Sequence, residues 1–441
     1  MRLILLLTFS LLASFFTIAG PANAGPSLQT LQLLYTGNLD GELEPCGCSL
    51  ETDYGGLQRR ATLIDQLRAD NPQLLLISAG GLFSPQPGND QIKHRFILSG
   101  MTQLDYDAIG VQWSDLVHGN EFLTDSGLPF TVGNWRDKTF STQQQPARAD
   151  KRLYFSQWLD PLTSPYRATP ALSPINDDIA GLLQGFKAAK AAGQLTVLAT
   201  TLSLDAAQQQ FDLSNIDILI IEAAYEIYAE PKQLGRTLIL QPGSRGQRQG
   251  LLTLDIDDNG SAVDWQHRVI ELPDSVASAP QLDSWYADYN EALRQDYLQR
   301  VAQRKVIKSE QSPYMGEQVC AGCHQSQHEI WSQSEHAKAF ADLEEVGKAF
   351  DGHCVGCHSV GFLQPGGYLD QDLTPQLSSV QCENCHGGGR EHVASAGQVA
   401  TPNHEWPKQQ VCAQCHVREH SPTFDTNSYW PKIEHPLLPK P

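Results

Sequence analysis

Cys382-Glu383-Asn384-Cys385-His386 is one of four copies of the pattern Cys-x-x-Cys-His, and the other copies begin at Cys320, Cys354 and Cys412. Two cysteines with this spacing can both form thioether bonds to one edge of a haem, and the histidine that follows can ligate the iron. Zinc knuckles and disulfides are the alternatives. Tetrahedral zinc, however, needs two such cysteine pairs per ion and has no use for a histidine after every second cysteine. The four copies therefore predict four c-type haems.

The prediction gives a role to eight cysteines and four histidines. The cysteines predicted to bind haem covalently are Cys320, Cys323, Cys354, Cys357, Cys382, Cys385, Cys412 and Cys415. The predicted proximal iron ligands are His324, His358, His386 and His416.

Most of the other histidines lie in the same part of the chain. Of 14 histidines, 11 lie at or beyond position 324, and the seven that are not proximal could supply distal ligands: His328, His336, His353, His392, His404, His420 and His435. An iron with two histidine ligands has no open position, so this inventory favours electron transfer.

The first residues have the pattern of a signal peptide. Arg2 precedes an apolar run from Leu3 to Ile18, and Ala22-Asn23-Ala24 fits a small-residue cleavage site. We therefore predict a signal peptide over residues 1–24 and export to the periplasm or the outside, where c-type haem is attached in bacteria. An uncleaved membrane anchor is the alternative. No later run reaches the roughly 18 apolar residues that a membrane span needs.

The chain is acidic, with a formal net charge of −19. This charge argues against binding to nucleic acid or to an anionic membrane. It would steer basic redox partner proteins towards the chain, although solubility alone also accounts for it. The sequence leaves the oligomeric state open.

Short apolar runs alternate with helical stretches over residues 25–272, which predicts an α/β layered domain. The predicted strands are Leu31 to Tyr35, Leu74 to Ile77, Leu195 to Ala199, Ile216 to Ile221 and Thr237 to Leu240, with a helix from Gly56 to Ala69 and a hairpin from Leu251 to Ile270. Residues 139–171, rich in Gln, Ser and Pro, are predicted to form a long loop.

A second, mostly helical or irregular domain is predicted over residues 313–441, where porphyrins would supply most of the apolar surface. Residues 273–312 are predicted to link the two domains. The linker contains an amphipathic helix that starts at Pro280 and carries Trp285, Tyr289 and Tyr297 along one stripe.

The last 130 residues resemble the cytochrome c-554 family of multihaem cytochromes. Besides the four haem motifs, the resemblance rests on Ser334-Glu335-His336-Ala337, Pro365-Gly366-Gly367-Tyr368, Val380-Gln381 before the third motif with His392 after it, and Tyr429-Trp430-Pro431-Lys432-Ile433-Glu434-His435. It implies closely stacked haems, most irons with two histidines and sometimes one iron left open.

The resemblance carries distal ligation onto His336, His392 and His435. His353, His404 and His420 are weaker distal candidates. His328 follows His324 by one helical turn, so it is expected to stay on the proximal side of its own haem.

The front domain looks like the metallophosphoesterase domain of the secreted 5'-nucleotidase family. The resemblance rests on Leu34-Tyr35-Thr36-Gly37-Asn38-Leu39-Asp40-Gly41, Gly55-Gly56-Leu57-Gln58-Arg59-Arg60-Ala61, Leu75-Leu76-Ile77-Ser78-Ala79-Gly80-Gly81, Leu104-Asp105-Tyr106-Asp107-Ala108-Ile109-Gly110 and Gln241-Pro242-Gly243-Ser244. That family binds two metal ions, which activate water and clamp the phosphate.

The metal positions of that family are mostly lost. They read Asn38, Asp40, Gly81, Trp113, Ser114, Thr201, Ala223 and Tyr225. One carboxylate, Asp40, cannot hold two divalent ions, so the domain is predicted to be inactive. A displaced group of His118, Asn120 and Glu121 would reach the site only if the alignment slipped.

Cys46 and Cys48 are the two remaining cysteines. A disulfide between residues two apart is strained and labile, and a metal or redox role is the alternative.

The sequence as a whole predicts a secreted multihaem electron carrier. One alternative is a multihaem reductase of a small nitrogen or sulfur oxyanion at a five-coordinate haem. Another is a redox-linked phosphohydrolase.

Overall fold

A computed structural model describes residues 28–46, 53–84, 91–168, 174–221, 229–304, 309–417, 421 and 423–436. Its N-terminal part contains two large sheets. The strands of the first, in spatial order, are β13 (Ala262–Glu271), β12 (Arg248–Ile256), β1 (Gln29–Thr36), β4 (Leu75–Ser78), β5 (Ala108–Gly110) and β6 (Phe130–Thr131). The strands of the second are β10 (Ala229–Leu234), β11 (Thr237–Gln241), β9 (Ile218–Ile220), β8 (Leu195–Thr200) and β7 (Leu153–Trp158). A two-stranded ribbon pairs β2 (Pro45–Cys46) with β3 (Tyr54–Gly55).

Alternation along β1 shows how the sheets are layered. Leu33 and Tyr35 point into the core between the two sheets, whereas Leu34 points into a core under the helices. Successive strand residues face opposite sides, so a strand covered on both faces reads as an unbroken apolar run. The short runs predicted as strands owe their composition to this burial.

Helices cover the outer face of each sheet. The first sheet is covered by α1 (Leu57–Asp70), α2 (Gln91–Leu104) and α3 (Asn120–Thr124), and the second by α4 (Ile179–Ala191) and α5 (Leu204–Gln210). The predicted α/β layered fold class is confirmed. The domain boundaries at 272 and 312 stay predictions.

The long loop predicted for residues 139–171 is wrong in part. The strand β7 lies within it, pairs in parallel with β8 from Leu153 to Trp158, and is buried throughout. Its polar residues Ser156 and Gln157 lower the apparent hydrophobicity. Both side chains are nevertheless buried and hydrogen bonded, Ser156 to the carbonyl of Thr142 and Gln157 to the N–H of Val111.

The helix α6 (Asp283–Gln303) belongs to two cores. Trp285 and Tyr289 pack into the core under the first sheet, and Tyr297 and Val301 pack into the core of the C-terminal segment. The indole of Trp285 also donates to the carbonyl of Phe96 in α2 at 3.2 Å. One rigid helix therefore ties the two parts of the chain together.

The C-terminal segment consists of short helices and irregular chain. Its helices are α7 (Glu317–Ala321), α8 (Gln325–Ser332), α9 (Glu335–Glu345), α10 (Gly352–His358), α11 (Cys382–His386), α12 (Arg390–Ala394), α13 (Lys408–Cys412) and α14 (Thr426–Tyr429). Within the described ranges, no helix is long and apolar enough to cross a membrane.

A buried ion pair joins the second sheet to the turn between β12 and β13. Lys190 lies 2.9 Å from the carboxylate of Asp217, whose side chain is 2% exposed, and also donates to the carbonyl of Gly260 at 3.0 Å. Removing one partner of such a pair leaves an uncompensated buried charge.

We therefore expect Lys190→Met to lower the free energy of unfolding by about 3 kcal/mol, at the lower end for a broken buried pair because Thr196 still donates to Asp217. Urea denaturation followed by circular dichroism measures this change. Lys187→Met on the exposed side of the same helix is the control, and equal stabilities of the two variants would contradict the expectation.

Candidate haem sites

Each Cys-x-x-Cys-His pattern lies on or beside a short helix, and at the second and third patterns side chains fix the start of the helix. At the third pattern, Asn384 accepts a hydrogen bond from the N–H of Gln381, and Gly387 ends α11 with φ of 79°. At the second, the Asp351 carboxylate accepts from the N–H of His353 and caps α10. One helical turn places both cysteines on one face, with the histidine at its end.

Six of the histidines form three pairs of neighbouring imidazoles. The ring centres are 5.9 Å apart in His324–His392, 5.9 Å in His386–His435 and 6.1 Å in His336–His416. Each pair joins a histidine that follows a cysteine pair to one of the three histidines onto which the family resemblance carries distal ligation.

This spacing fits a metal ion between the rings. Two imidazoles that bind one metal from opposite sides hold their ring centres about 6 Å apart, because each metal–nitrogen bond is about 2 Å long and each ring centre lies about 1 Å behind its nitrogen. Direct packing of two rings does not need this separation: His416 stacks on Phe424 at 4.1 Å.

Backbone and hydroxyl oxygens orient several of these rings. The Nδ1 atom of His392 lies 2.8 Å from the carbonyl of Val399, and Nδ1 of His416 lies 3.2 Å from the hydroxyl of Ser421. A hydrogen bond at Nδ1 leaves Nε2 available as a ligand, which is the usual arrangement around metal-bound histidines.

Burial favours the neutral form of four of these rings. It is the largest cause that lowers the pKa of His324, His336, His386 and His416, and neighbouring histidines lower the pKa of the first three further. The Nδ1 atom of His435 is buried without a hydrogen-bond partner in the described part of the chain. Neutral imidazole is the form that binds metals.

His358 is arranged differently from the other proximal candidates. Its Nδ1 atom is hydrogen bonded to the carbonyl of Ala339, which again orients the ring. Across the described ranges, no second imidazole faces it in the way seen in the three pairs. His336 is near enough to affect its electrostatics but faces His416.

The cysteine patterns meet in pairs. The thiol of Cys320 lies close enough to that of Cys382 to interact with it, and the thiols of Cys357 and Cys415 are related in the same way. The first pattern thus adjoins the third, and the second adjoins the fourth. The chain keeps all eight of these cysteines free of disulfides.

Glu383 fastens the first and third patterns to each other. Its carboxylate is 5% exposed and accepts hydrogen bonds from the N–H groups of Met315, Gly316 and Gly389 at 2.7–3.0 Å. The sequence did not predict this role, because the Cys-x-x-Cys-His pattern places no requirement on the residues between the two cysteines.

The distribution of apolar side chains fits a segment built around prosthetic groups. Beyond Leu377, no hydrophobic side chain of the described chain is buried, while Val393, Val399, Trp406 and Tyr429 are 37–46% exposed. The segment has an apolar core before this point, around Phe340, Val355 and Tyr368, but the part beyond Leu377 needs other apolar surface to pack against. Porphyrins would supply it.

The weaker distal candidates lie apart from the three pairs. His328 is hydrogen bonded to Glu317, and its ring lies 5.2 Å from that of Trp331. His404 is about half exposed, with Nδ1 3.2 Å from the carbonyl of Thr401. The backbone N–H of His353 caps α10. His420 lies outside the described residues.

Hydrogen bonds fill the position of the lost phosphoesterase metals. Asn38 donates to Asp40 at 3.2 Å and accepts from Gln112 at 2.7 Å, while the backbone N–H of Arg245 donates to Asp40 at 3.0 Å. Burial is the main cause that raises the pKa of Asp40. A Cβ atom at Gly81 would come within 2.5 Å of Asn38, so the lost aspartate cannot return there without moving Asn38.

The displaced His118 group does not enter this network. Nε2 of His118 lies 2.8 Å from Nδ1 of His94, a residue that the sequence analysis did not single out, and His94 stacks on Phe83 at 4.2 Å. Glu121 is exposed. In the described ranges, no three His, Cys, Asp or Glu side chains group as metal ligands. Ala223, Tyr225 and Cys48 lie outside them, as does the side chain of Cys46.

Residues 319–387 match the family model described as cytochrome c554 and c-prime. The C-terminal part of the chain is cytochrome c-554-like. Cytochrome c-554 of Nitrosomonas europaea is 31% identical over a region that covers 24% of this chain and 58% of that protein. The match supports a multihaem c-type cytochrome. The family model ends before the fourth Cys-x-x-Cys-His pattern.

The N-terminal part is similar to 5'-nucleotidases. Snake venom 5'-nucleotidase of Naja atra is 32% identical over 24% of this chain but only 22% of its own length. A 5'-nucleotidase precursor of Thermus thermophilus superposes with a TM-score of 0.53 at 14% identity, over 72% of this chain and 68% of that one. The sulfate thiohydrolase SoxB of Thermus thermophilus superposes with a TM-score of 0.52 at 17% identity, over 60% of this chain and 61% of that one. These structures show the fold alone.

The altered metal position predicts an inactive phosphoesterase domain. We expect the purified protein not to hydrolyse nucleotide or sugar phosphates when manganese or zinc is added, because Asp40 is hydrogen bonded and one carboxylate cannot hold two ions. A phosphate-release assay with an active 5'-nucleotidase as the positive control tests this. Robust metal-dependent hydrolysis that disappears in Asp40→Ala would overturn the prediction.

Proposed function

We propose that this protein carries electrons through four covalently bound haems. The observation that carries the proposal is the set of three histidine pairs at 5.9–6.1 Å, each next to a cysteine pair. In this proposal His324 and His392 hold the first iron, His386 and His435 the third, and His416 and His336 the fourth. When bound, c-type haem supplies one-electron redox chemistry.

The contacts between cysteine patterns support a continuous path. The first pattern meets the third through Cys320 and Cys382, and the fourth meets the second through Cys415 and Cys357. Cys385 of the third and Cys412 of the fourth lie near enough to interact electrostatically. The order first, third, fourth, second would give electrons a route with no large gap.

A reductase acting at the second haem is the second candidate. The observation that favours it is His358, which has an oriented ring but no facing imidazole among the described histidines. A single histidine ligand would leave one position of that iron open for a small nitrogen or sulfur oxyanion. Binding of cyanide or nitric oxide to the oxidised or reduced protein would favour this function over simple electron transfer.

We further propose an exported protein with basic redox partners. The signal-peptide pattern over residues 1–24 supports export, and the net charge of −19 supports attraction of basic partners. The N-terminal domain would serve as a scaffold, since its metal positions are replaced by a hydrogen-bonded network.

Mass spectrometry tests the number of haems. We expect the mature holoprotein to exceed the mass of its polypeptide by four haems, because each of the four cysteine pairs forms two thioether bonds. Replacing Cys412 and Cys415 by Ala should leave three haems, because one attachment site is lost. The fourth pattern is chosen because it lies outside the family match. Three or fewer haems on the unaltered, fully matured chain would contradict the proposal.

Substitution of the distal histidines tests the three pairs. Replacing His336, His392 or His435 by Ala should keep all four haems, since attachment depends on the cysteines, but convert one low-spin iron to high-spin and raise its potential, because loss of a basic imidazole destabilises the ferric state. Electron paramagnetic resonance measures the change.

His328→Ala is the matched control and should leave every spin state unchanged, because that imidazole is bound to Glu317. If the three variants stay low-spin while His404→Ala or His420→Ala does not, the assigned pairs are wrong.

A further inference from the structure

A buried lysine joins the two parts of the chain. Nζ of Lys348 lies 2.6 Å from a carboxylate oxygen of Glu44 and 2.6 Å from the amide oxygen of Asn290 in α6. The side chains of Lys348 and Glu44 are only 13% and 21% exposed. Glu44 belongs to the N-terminal domain, whereas Lys348 lies six residues before Cys354.

Aromatic rings enclose this ion pair. The hydroxyl of Tyr286 donates to Glu44, and Nζ of Lys348 lies 5.2 Å and 5.3 Å from the ring centres of Tyr286 and Tyr289. Tyr289 is 1% exposed. Charges held among aromatic rings and away from water act over longer distances than charges on the surface.

The ion pair lies close to the second haem-attachment site. The carbonyl of Lys348 accepts a hydrogen bond from the N–H of Asp351 at 2.9 Å, and the carbonyl of Asp351 accepts one from the N–H of Cys354 at 3.0 Å. Phe350 and Cys354 pack into the same apolar cluster, and Glu44, Lys348 and Lys93 all interact electrostatically with the sulfur of Cys354. Lys93 is itself 3.7 Å from Glu42. Two segments of the N-terminal domain, one around Glu44 and the other at Lys93 in α2, therefore place charge next to this site.

The other attachment sites differ in this respect. The groups that perturb their thiols most strongly lie in the C-terminal segment, as shown for Cys320, Cys382, Cys385, Cys412 and Cys415. Among these described thiols and Cys354, only Cys354 has charges of the N-terminal domain among its main electrostatic influences.

We propose that the N-terminal domain sets the reduction potential of the second haem through the Glu44–Lys348 pair. This inference rests on the proposed haem at Cys354 and Cys357. A cation near the haem favours the reduced state, because reduction removes a positive charge from the iron, and a carboxylate favours the oxidised state. The pair is balanced, so the loss of one member leaves the other uncompensated beside the haem.

Potentiometric titration of the holoprotein tests the proposal. Lys348→Met should shift one of the four one-electron equilibria at least tenfold towards the oxidised form, a fall of about 59 mV. Glu44→Gln should shift the same haem in the opposite direction, and the double variant should return it close to its original potential. Lys348→Arg, which keeps the charge, should have little effect.

Lys338→Met is the matched control, since Lys338 is an exposed lysine of α9 whose side chain is 59% accessible. It should leave all four potentials unchanged. The haem whose reduction potential shifts should be the one that does not give a bis-histidine signal. Unchanged potentials in both single variants, a common shift of all four haems, or a double variant that does not compensate would overturn the inference.

The haem mass of each sample separates this test from that of the proposed function. Four haems with unmoved potentials would overturn the role of Glu44 and Lys348 alone. A second site without haem in the unaltered chain would overturn the proposed function as well. If Lys348→Met fails to mature, the Glu44→Gln shift still decides the question.

Discussion

The structure of the C-terminal segment depends on histidine pairs held about 6 Å apart, the distance that iron ligation from both sides requires. Short helices carry the cysteine pairs, and separate elements such as α9 and α12 bring the second histidine of a pair. The first half of the segment has an apolar core around Phe340, Val355 and Tyr368, but the described chain beyond Leu377 buries no hydrophobic side chain. In the proposed holoprotein, the prosthetic groups would supply the apolar surface against which this last part packs.

The N-terminal domain differs from the C-terminal segment in what stabilises it. Its two sheets and their helices bury a large apolar core, but the end that would bind metals in a phosphoesterase holds the Asn38–Asp40–Gln112 network. Asp115 stabilises the neighbouring loop at residues 81–83, because its carboxylate accepts hydrogen bonds from the N–H groups of Gly81, Leu82 and Phe83. Burial raises the pKa of Asp115 to about 6. Within the described residues, this end is occupied by hydrogen bonds, and no three metal-ligating side chains group there.

The sequence predicted those features that depend on residues close to one another in the chain. The cysteine spacing located four short segments whose histidines and cysteines come together in the fold, and continuous apolar runs located most strands of both sheets. The strand β7 was missed because its buried Ser156 and Gln157 are hydrogen bonded to Thr142 and Val111, partners that only the fold supplies. The roles of Glu383 and of the Glu44–Lys348 pair were missed for the same reason, since their partners lie 67–68 and 304 positions away.

Electron paramagnetic resonance of the oxidised, unaltered holoprotein tests the central claim most directly. Three pairs of neighbouring histidines, and the absence of such a partner for His358 among the described residues, predict three low-spin ferric haems for each high-spin haem. Spin quantification against the total haem content gives this ratio. Two or fewer low-spin haems per chain would contradict the account, because at least one of the three histidine pairs would then not enclose an iron.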